Sequence, residues 1–356
     1  MNRIIFWYRN ARPVSLPQSM MPALVSAFMA AGCADFRWYL ALLSVIGIAF
    51  AHLSFNLFDD YFDFKNAEQG DRTALARAGF RAMTLKCPAL QDGTVTPSQW
   101  LKACLVFGAA ACIFGLPVVI IRGFSVIWVV LGVAVLGLFY SAPPLKLGYH
   151  GLGELVIGSI FGPGIFIGMS IGASGEIHSD QILMSCAMGL MVVAILYVHS
   201  IMDYAADAKA GKRTLAWLVG CHKTIPDEKK ADQEPASEEE LYSGINRQYI
   251  TLAAVLFVPY ILIAVELIAG LLPLYYVIVC LTLPWSLSLY NSMQEFRKDP
   301  GRVPEKKWWY GRFQNWEAIK AAKIDWFMLR WLLAQRISII FSILCIIASV
   351  IRICAG

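Results

Sequence analysis

Nine stretches of this chain are long and apolar enough to cross a lipid bilayer, and no other feature restricts its fold as much. A spanning helix needs roughly 20 mostly apolar residues, and every backbone polar group must be satisfied within the segment. The stretches run approximately 18–33, 38–57, 100–121, 124–141, 152–172, 182–202, 249–268, 271–290 and 331–351. They predict an all-α polytopic bundle of nine transmembrane helices. Of 356 residues, 58% are hydrophobic and 15% charged, whereas soluble domains run at roughly 25% charged. This excludes a simple water-soluble enzyme or a secreted domain, and the 13% aromatic content excludes wholesale disorder. The first run follows Arg3, Arg9 and Arg12 as a signal peptide would, but the spans after it make it the first membrane helix. Seven of the nine cysteines lie in or beside apolar runs, and no Cys-x-x-Cys pair exists, so they read as small core residues.

Charge orients the bundle. With a cytoplasmic N-terminus and nine alternating helices, the connections 58–99, 142–151, 203–248 and 291–330 fall inside. Those at 34–37, 122–123, 173–181 and 269–270 fall outside. Of 30 Lys and Arg residues, only Arg37, Arg122 and Arg352 then lie on the outer side, as the preference of cytoplasmic loops for cations requires. The net charge of +5 therefore belongs to the inner loops and does not imply nucleic acid. Trp38, Trp100 and Tyr140 mark helix ends as an interfacial belt. Residues 1–356 read as one membrane domain with two polar cytoplasmic insertions. Residues 222–247 are charged, and the acidic run Glu238 to Glu240 reads as solvated. Residues 294–330 carry Trp308, Trp309, Trp316 and Trp326, the pattern of an amphipathic segment lying at the headgroups.

Two acidic clusters stand at inner helix ends. The second stretch ends in Asn56-Leu-Phe-Asp59-Asp60-Tyr-Phe-Asp63. At about 100° per residue, Asn56, Asp60 and Asp63 fall within roughly 60° of arc, with Asp59 beside them. The sixth ends in Asp203-Tyr-Ala-Ala-Asp207, two carboxylates four residues apart on one face, followed by a basic turn through Lys212 and Arg213. Acids at helix ends near water also serve solubility. Two clusters on the same side of the membrane favour the other reading, because carboxylates brought together repel unless a cation holds them. Carboxylate oxygens with water suit Mg²⁺, above all when substrate phosphates complete its shell.

Asn56-x-x-x-Asp60-x-x-Asp63, together with Asp203-x-x-x-Asp207 and the following Gly-Lys-Arg-Thr-Leu, resembles the two signature motifs of the UbiA superfamily of intramembrane prenyltransferases. Much of that superfamily spaces its first motif N-x-x-x-D-x-x-x-D, whereas position 64 here is Phe. The shorter spacing resembles the branch that prenylates 1,4-dihydroxy-2-naphthoate in menaquinone synthesis. Ala11-Arg12-Pro13-Val14-Ser15-Leu16-Pro17, and Tyr149-His150-Gly151-Leu152-Gly153-Glu154 running on to Phe161-Gly162-Pro163, resemble the same branch. The resemblance covers nearly the whole chain. The segments 222–247 and 294–330 are longer than the family pattern.

The resemblance implies transfer of a polyprenyl group from its diphosphate to an aromatic ring, in the cell membrane of a bacterium, with the active site on the cytoplasmic side. The expected partners are a polyprenyl diphosphate, an aromatic acceptor and the lipid bilayer. Diphosphate leaves an allylic carbon once its charge is neutralised. Asn56, Asp60 and Asp63 are expected to hold one Mg²⁺ and Asp203 and Asp207 another, with Asp59 as ligand or support. Lys146, Lys212 and Arg213 are candidates to grip the diphosphate, with Arg12 and Arg72 behind them. Tyr140, Tyr149 and Tyr204 are candidates to stabilise an allylic cation through their rings, or simply pack. His199, one turn before Asp203, faces the site or packs. His150 and Glu154 are candidates for the acceptor carboxylate. Gly158, Ser159, Gly162, Gly164 and Gly168 permit close helix contacts or leave room for the prenyl tail. Other aromatic acceptors, such as 4-hydroxybenzoate or homogentisate, are the nearest alternative. A CDP-alcohol phosphatidyltransferase would need an Asp-Gly-x-x-Ala-Arg opening, which is absent from the sequence. A cation-coupled transporter would carry its charges near mid-membrane.

Overall fold

The computed structural model describes residues 3–65, 88–204, 207, 212–220, 237–313 and 316–355. These residues are helical with no strands among them beyond one isolated bridge. The numbered helices are α1 (Arg3–Asn10), α2 (Pro17–Ala30), α3 (Trp38–Lys65), α4 (Pro97–Arg122), α5 (Phe124–Ser141), α6 (Gly153–Ser174), α7 (Ile182–Met202), α8 (Leu215–Val219), α9 (Glu238–Ile268), α10 (Leu274–Lys298, opening in a tighter 3₁₀ turn) and α11 (Asp325–Ala355). Among the described residues, eight helices have the length and apolarity to cross a membrane. The predicted first span, 18–33, forms only the 14 residues of α2. At 1.5 Å per residue that is about 21 Å, and the segment leads from the Arg12–Asp59 contact at one end of the bundle to the Cys33–His178 contact at the other.

The centre of the bundle is α7, which packs against α6, α9 and α11, while α3 and α4 pair along their lengths. Met184, Met188, Met191, Tyr197 and Val198 of α7 are buried. By contrast, Leu105, Ile113 and Ile120 of α4, and Phe124, Trp128 and Leu131 of α5, stand exposed on the outside. So many apolar side chains facing outwards suit a lipid surround, not water. The chain is a multi-pass membrane protein.

Glycine sets the closest contact. A Cβ on Gly162 of α6 would overlap the Ser185 carbonyl and come within 2.7 Å of the Gly189 Cα on α7; a Cβ on Gly189 would meet the Gly158 carbonyl at 2.6 Å. The backbones therefore touch, and close packing is what Gly158 and Gly162 provide. Pro163 sits within a wide turn at Ile160–Gly164, which absorbs its missing hydrogen bond.

Arg122 donates to the carbonyls of Asp35 (2.7 Å) and Gly172 (3.2 Å), the Arg37 amide donates to Ala173 O (2.9 Å), and Arg352 pairs with Asp180. The three cations expected on the outer side thus gather at one end of the bundle. The acidic clusters lie at the other, with Asp60 22 residues, or about 33 Å, along α3 from Trp38.

One local expectation is corrected, and two segments gain a defined shape. Trp100 is fully buried, its indole donating to the Leu57 carbonyl at 2.7 Å, so it ties α4 to α3 and is not an interfacial anchor. The run Glu238 to Glu240 forms the first turn of α9. There Ser237 Oγ accepts from the Glu240 amide (3.2 Å) and the Glu240 carboxylate accepts from the Ser237 amide (3.0 Å), a capping box favoured by the helix dipole. Within 294–330, α10 continues to Lys298, and among the described residues short turns at Trp308–Tyr310 and Trp316–Ala321 precede α11. Residues 222–236 of the first insertion lie outside the described residues.

Candidate active site

The first cluster is held by the N-terminal segment. Arg12 adopts a left-handed conformation (φ 55°) between α1 and the turn Pro13–Ser15. This turns its guanidinium onto α3, 3.0 Å from Asp59 Oδ2, 3.4 Å from Asp60 Oδ1 and 3.3 Å from the Asn56 carbonyl. Burial pulls the guanidinium down, but the charges of Asp60, Asp59 and Asp63 and a hydrogen bond to Asp59 outweigh it, so Arg12 stays cationic above its ordinary range. The Asn56 amide nitrogen donates to Ala11 O and Ser15 Oγ, both at 2.9 Å. Ser141, at the end of α5, donates to Asp59, and the Tyr149 hydroxyl donates to Asp63 Oδ1 at 2.5 Å.

The second cluster closes α7. Asp203 caps its last turn, and the Asp207 amide donates to Asp203 O at 2.8 Å. His199 Nε2 lies 3.1 Å from Asp203 Oδ2, and ligand atoms of His199, Asp203 and Asp207 all lie within 4.8 Å of one another. The chain then returns to the first cluster: the Lys212 amide donates to Asp207 O (2.8 Å), the Arg213 amide to Tyr149 O (3.3 Å), and the Gly151 amide to Arg213 O (2.8 Å). Tyr149 therefore joins the clusters, its side chain on Asp63 and its backbone on the segment after Asp207. Glu154 braces this corner, accepting from Ser200 Oγ (2.6 Å) and the Leu215 amide (3.0 Å).

Asp60, Asp63, Asp203 and Asp207 are all buried. Carboxylates buried together require cationic compensation. A buried set of carboxylate and amide oxygens is the hard donor set that Mg²⁺ takes, so these residues fit that ion.

Other predicted residues divide. Lys146 begins the turn Leu147–Tyr149 in a left-handed conformation (φ 42°), and its ammonium makes no ion pair among the described residues. The Arg213 guanidinium lies 4.9 Å over the Trp217 ring. The Tyr140 ring packs where side chains on Gly148 and Gly153 would stand, 3.1–3.4 Å from where a Cβ on either glycine would fall, so it shapes the turn. His150 is exposed, and Glu154 is committed to α7 and α8. Arg72 and the start of the basic turn, 208–211, lie outside the described residues. Sequence reasoning missed Ser15 and Ser141, single serines far from both motifs, and the bracing role of Glu154.

A model of the UbiA prenyltransferase family matches residues 19–226, more than half the chain and both acidic motifs. The chain belongs to the UbiA prenyltransferase family. It is 28% identical to 1,4-dihydroxy-2-naphthoate octaprenyltransferase of Bacillus subtilis over 225 residues, covering 62% of this chain and 67% of that one. It is 25% identical to the enzyme of that name from Mycobacterium tuberculosis over 221 residues (61% and 71%), and 24% identical to UbiA prenyltransferase domain-containing protein 1 of Mus musculus over 320 residues (85% and 80%). The fold of this UbiA prenyltransferase matches the structure of a UbiA homologue from Archaeoglobus fulgidus bound to DMAPP and Mg²⁺. The TM-score is 0.56 at 15% identity, covering 96% of this chain and 98% of that one. With the family assigned, the transporter and phosphatidyltransferase readings fall away.

Proposed function

We propose that this prenyltransferase moves a polyprenyl group from its diphosphate to 1,4-dihydroxy-2-naphthoate, with Mg²⁺ as cofactor and the reaction on the cytoplasmic side of a bacterial cell membrane. The observation that carries the reading is the double attachment of Tyr149, to Asp63 and to Arg213, which draws both acidic clusters around one corner. Names of the naphthoate-prenylating relatives support the acceptor, and the Archaeoglobus fulgidus structure supports the metal.

In this reading Asn56, Asp60 and Asp63 would hold one Mg²⁺, and Asp203 and Asp207 another. Bound Mg²⁺ would supply charge neutralisation that makes diphosphate a leaving group. Arg12 and Ser141 fix Asp59, and Arg12 also steadies Asp60. Tyr149 fixes Asp63 and turns its ring to the site. Lys212 and Lys146 supply cations for phosphate oxygens. The prenyl tail leaves sideways into lipid, where its apolar surface belongs.

Purified protein is incubated with dihydroxynaphthoate and a series of polyprenyl diphosphates, with and without Mg²⁺, and products are read by mass. A prenylated naphthoate formed only with the metal is expected. Prenylation of 4-hydroxybenzoate with none of dihydroxynaphthoate would overturn the acceptor assignment.

A further inference from the structure

The two acidic clusters are built alike, with one difference of chemical kind. In the first, Asn56 stands four residues before Asp60; in the second, His199 stands four residues before Asp203. The first offers only oxygen donors to a cation, whereas the second offers an imidazole nitrogen as well. We propose that His199 is a metal ligand, so the second cluster is a mixed nitrogen–oxygen site that favours borderline cations such as Co²⁺ or Zn²⁺ over Mg²⁺. The inference rests on the site reading above and goes beyond it in dividing the two cation positions by chemistry.

The geometry supports direct ligation. Neighbouring ligand atoms in an octahedral shell with bonds of about 2.1 Å lie about 3 Å apart, and opposite ones about 4.2 Å. His199 Nε2 is 3.1 Å from Asp203 Oδ2, the spacing of neighbouring ligands, and Asp207 brings a third donor into the same group, within a looser 4.8 Å. The His199 ring is set edge-on against Phe327, with centroids 5.4 Å apart and planes at 81°. That contact from α11 restricts rotation of the ring. Imidazole suits borderline divalent ions, and carboxylate with amide oxygen suits hard ones.

The test uses full-length protein in lipid nanodiscs with Mn²⁺ and inorganic pyrophosphate, read by pulsed electron paramagnetic resonance. Samples carry ¹⁴N- or ¹⁵N-labelled histidine. A histidine nitrogen coupling to bound Mn²⁺ that changes with the label is expected, and the wild-type comparison needs no variant. The coupling should vanish in His199→Asn and persist in His150→Asn. Co²⁺ affinity should fall about tenfold or more in His199→Asn while Mg²⁺ affinity moves less than about threefold. Bound Mn²⁺ without histidine coupling, or a coupling that survives His199→Asn, overturns the proposal. If Mg²⁺-dependent prenyl transfer persists in that case, only this inference falls. If Mn²⁺ with pyrophosphate does not bind and transfer is absent, the metal-site reading falls with it.

Discussion

At the scale of single residues, the buried carboxylates are held in place by hydrogen bonds and ion pairs from neighbouring side chains. Tyr149 gives the clearest case. Its hydroxyl donates to Asp63 at 2.5 Å while its backbone holds the segment after Asp207. A hydrogen bond to a charged group contributes roughly 1.5–3 kcal/mol. Tyr149→Phe keeps the ring and the backbone bond and removes only that donor. It should lower kcat/KM for prenyl transfer by about ten- to a hundredfold, with Tm nearly unchanged. Arg12 is a second case. One guanidinium reaches Asp59, Asp60 and the Asn56 carbonyl together, a reach that a lysine ammonium cannot reproduce. Arg12→Lys should therefore raise the Mg²⁺ concentration needed for half-maximal rate several-fold, despite the retained charge. A wild-type metal dependence in that variant would show that the charge alone suffices.

At the scale of elements, the site depends on how closely α6 and α7 pack. Glu154 at the start of α6 and Asp203 at the end of α7 belong to helices whose backbones touch at Gly158, Gly162 and Gly189. A larger side chain at Gly162 would meet the Ser185 carbonyl and the Gly189 backbone, neither of which can move aside cheaply. Overpacking of this kind costs about 1–3 kcal/mol. Gly162→Val should lower Tm by several degrees, read by tryptophan fluorescence in detergent, and reduce prenyl transfer although the residue is far along α6 from the acids. The element scale is also where sequence reading was strongest. Apolar runs located eight spanning helices, and the cation count put both acidic clusters at one end. It was weaker at the ends of elements. The run 18–33 forms a helix of only 14 residues, because Pro17 opens it and it stops at Ala30. Trp100 sits at a helix end, which is all that sequence shows. Its burial against Leu57 depends on α3 lying alongside, a partner 43 residues away.

At the scale of the whole molecule, the claim is that segments distant in the chain form one diphosphate-binding centre. The acids themselves were legible, because carboxylates at helical spacing beside a membrane demand a cation. Their braces were not. Ser141 lies 82 residues from Asp59, Tyr149 86 from Asp63, and Glu154 46 from Ser200. Such contacts exist only after α5, α6 and α7 have packed. Asp60→Asn, Asp203→Asn and the double variant, assayed together for Mg²⁺-dependent prenyl transfer, test the claim most directly. Groups acting as one unit lose function together. Each single change should cost about a hundredfold or more in kcat, and the double variant should be little worse than either alone. Losses that multiply, or a single variant with wild-type transfer, would contradict a shared centre.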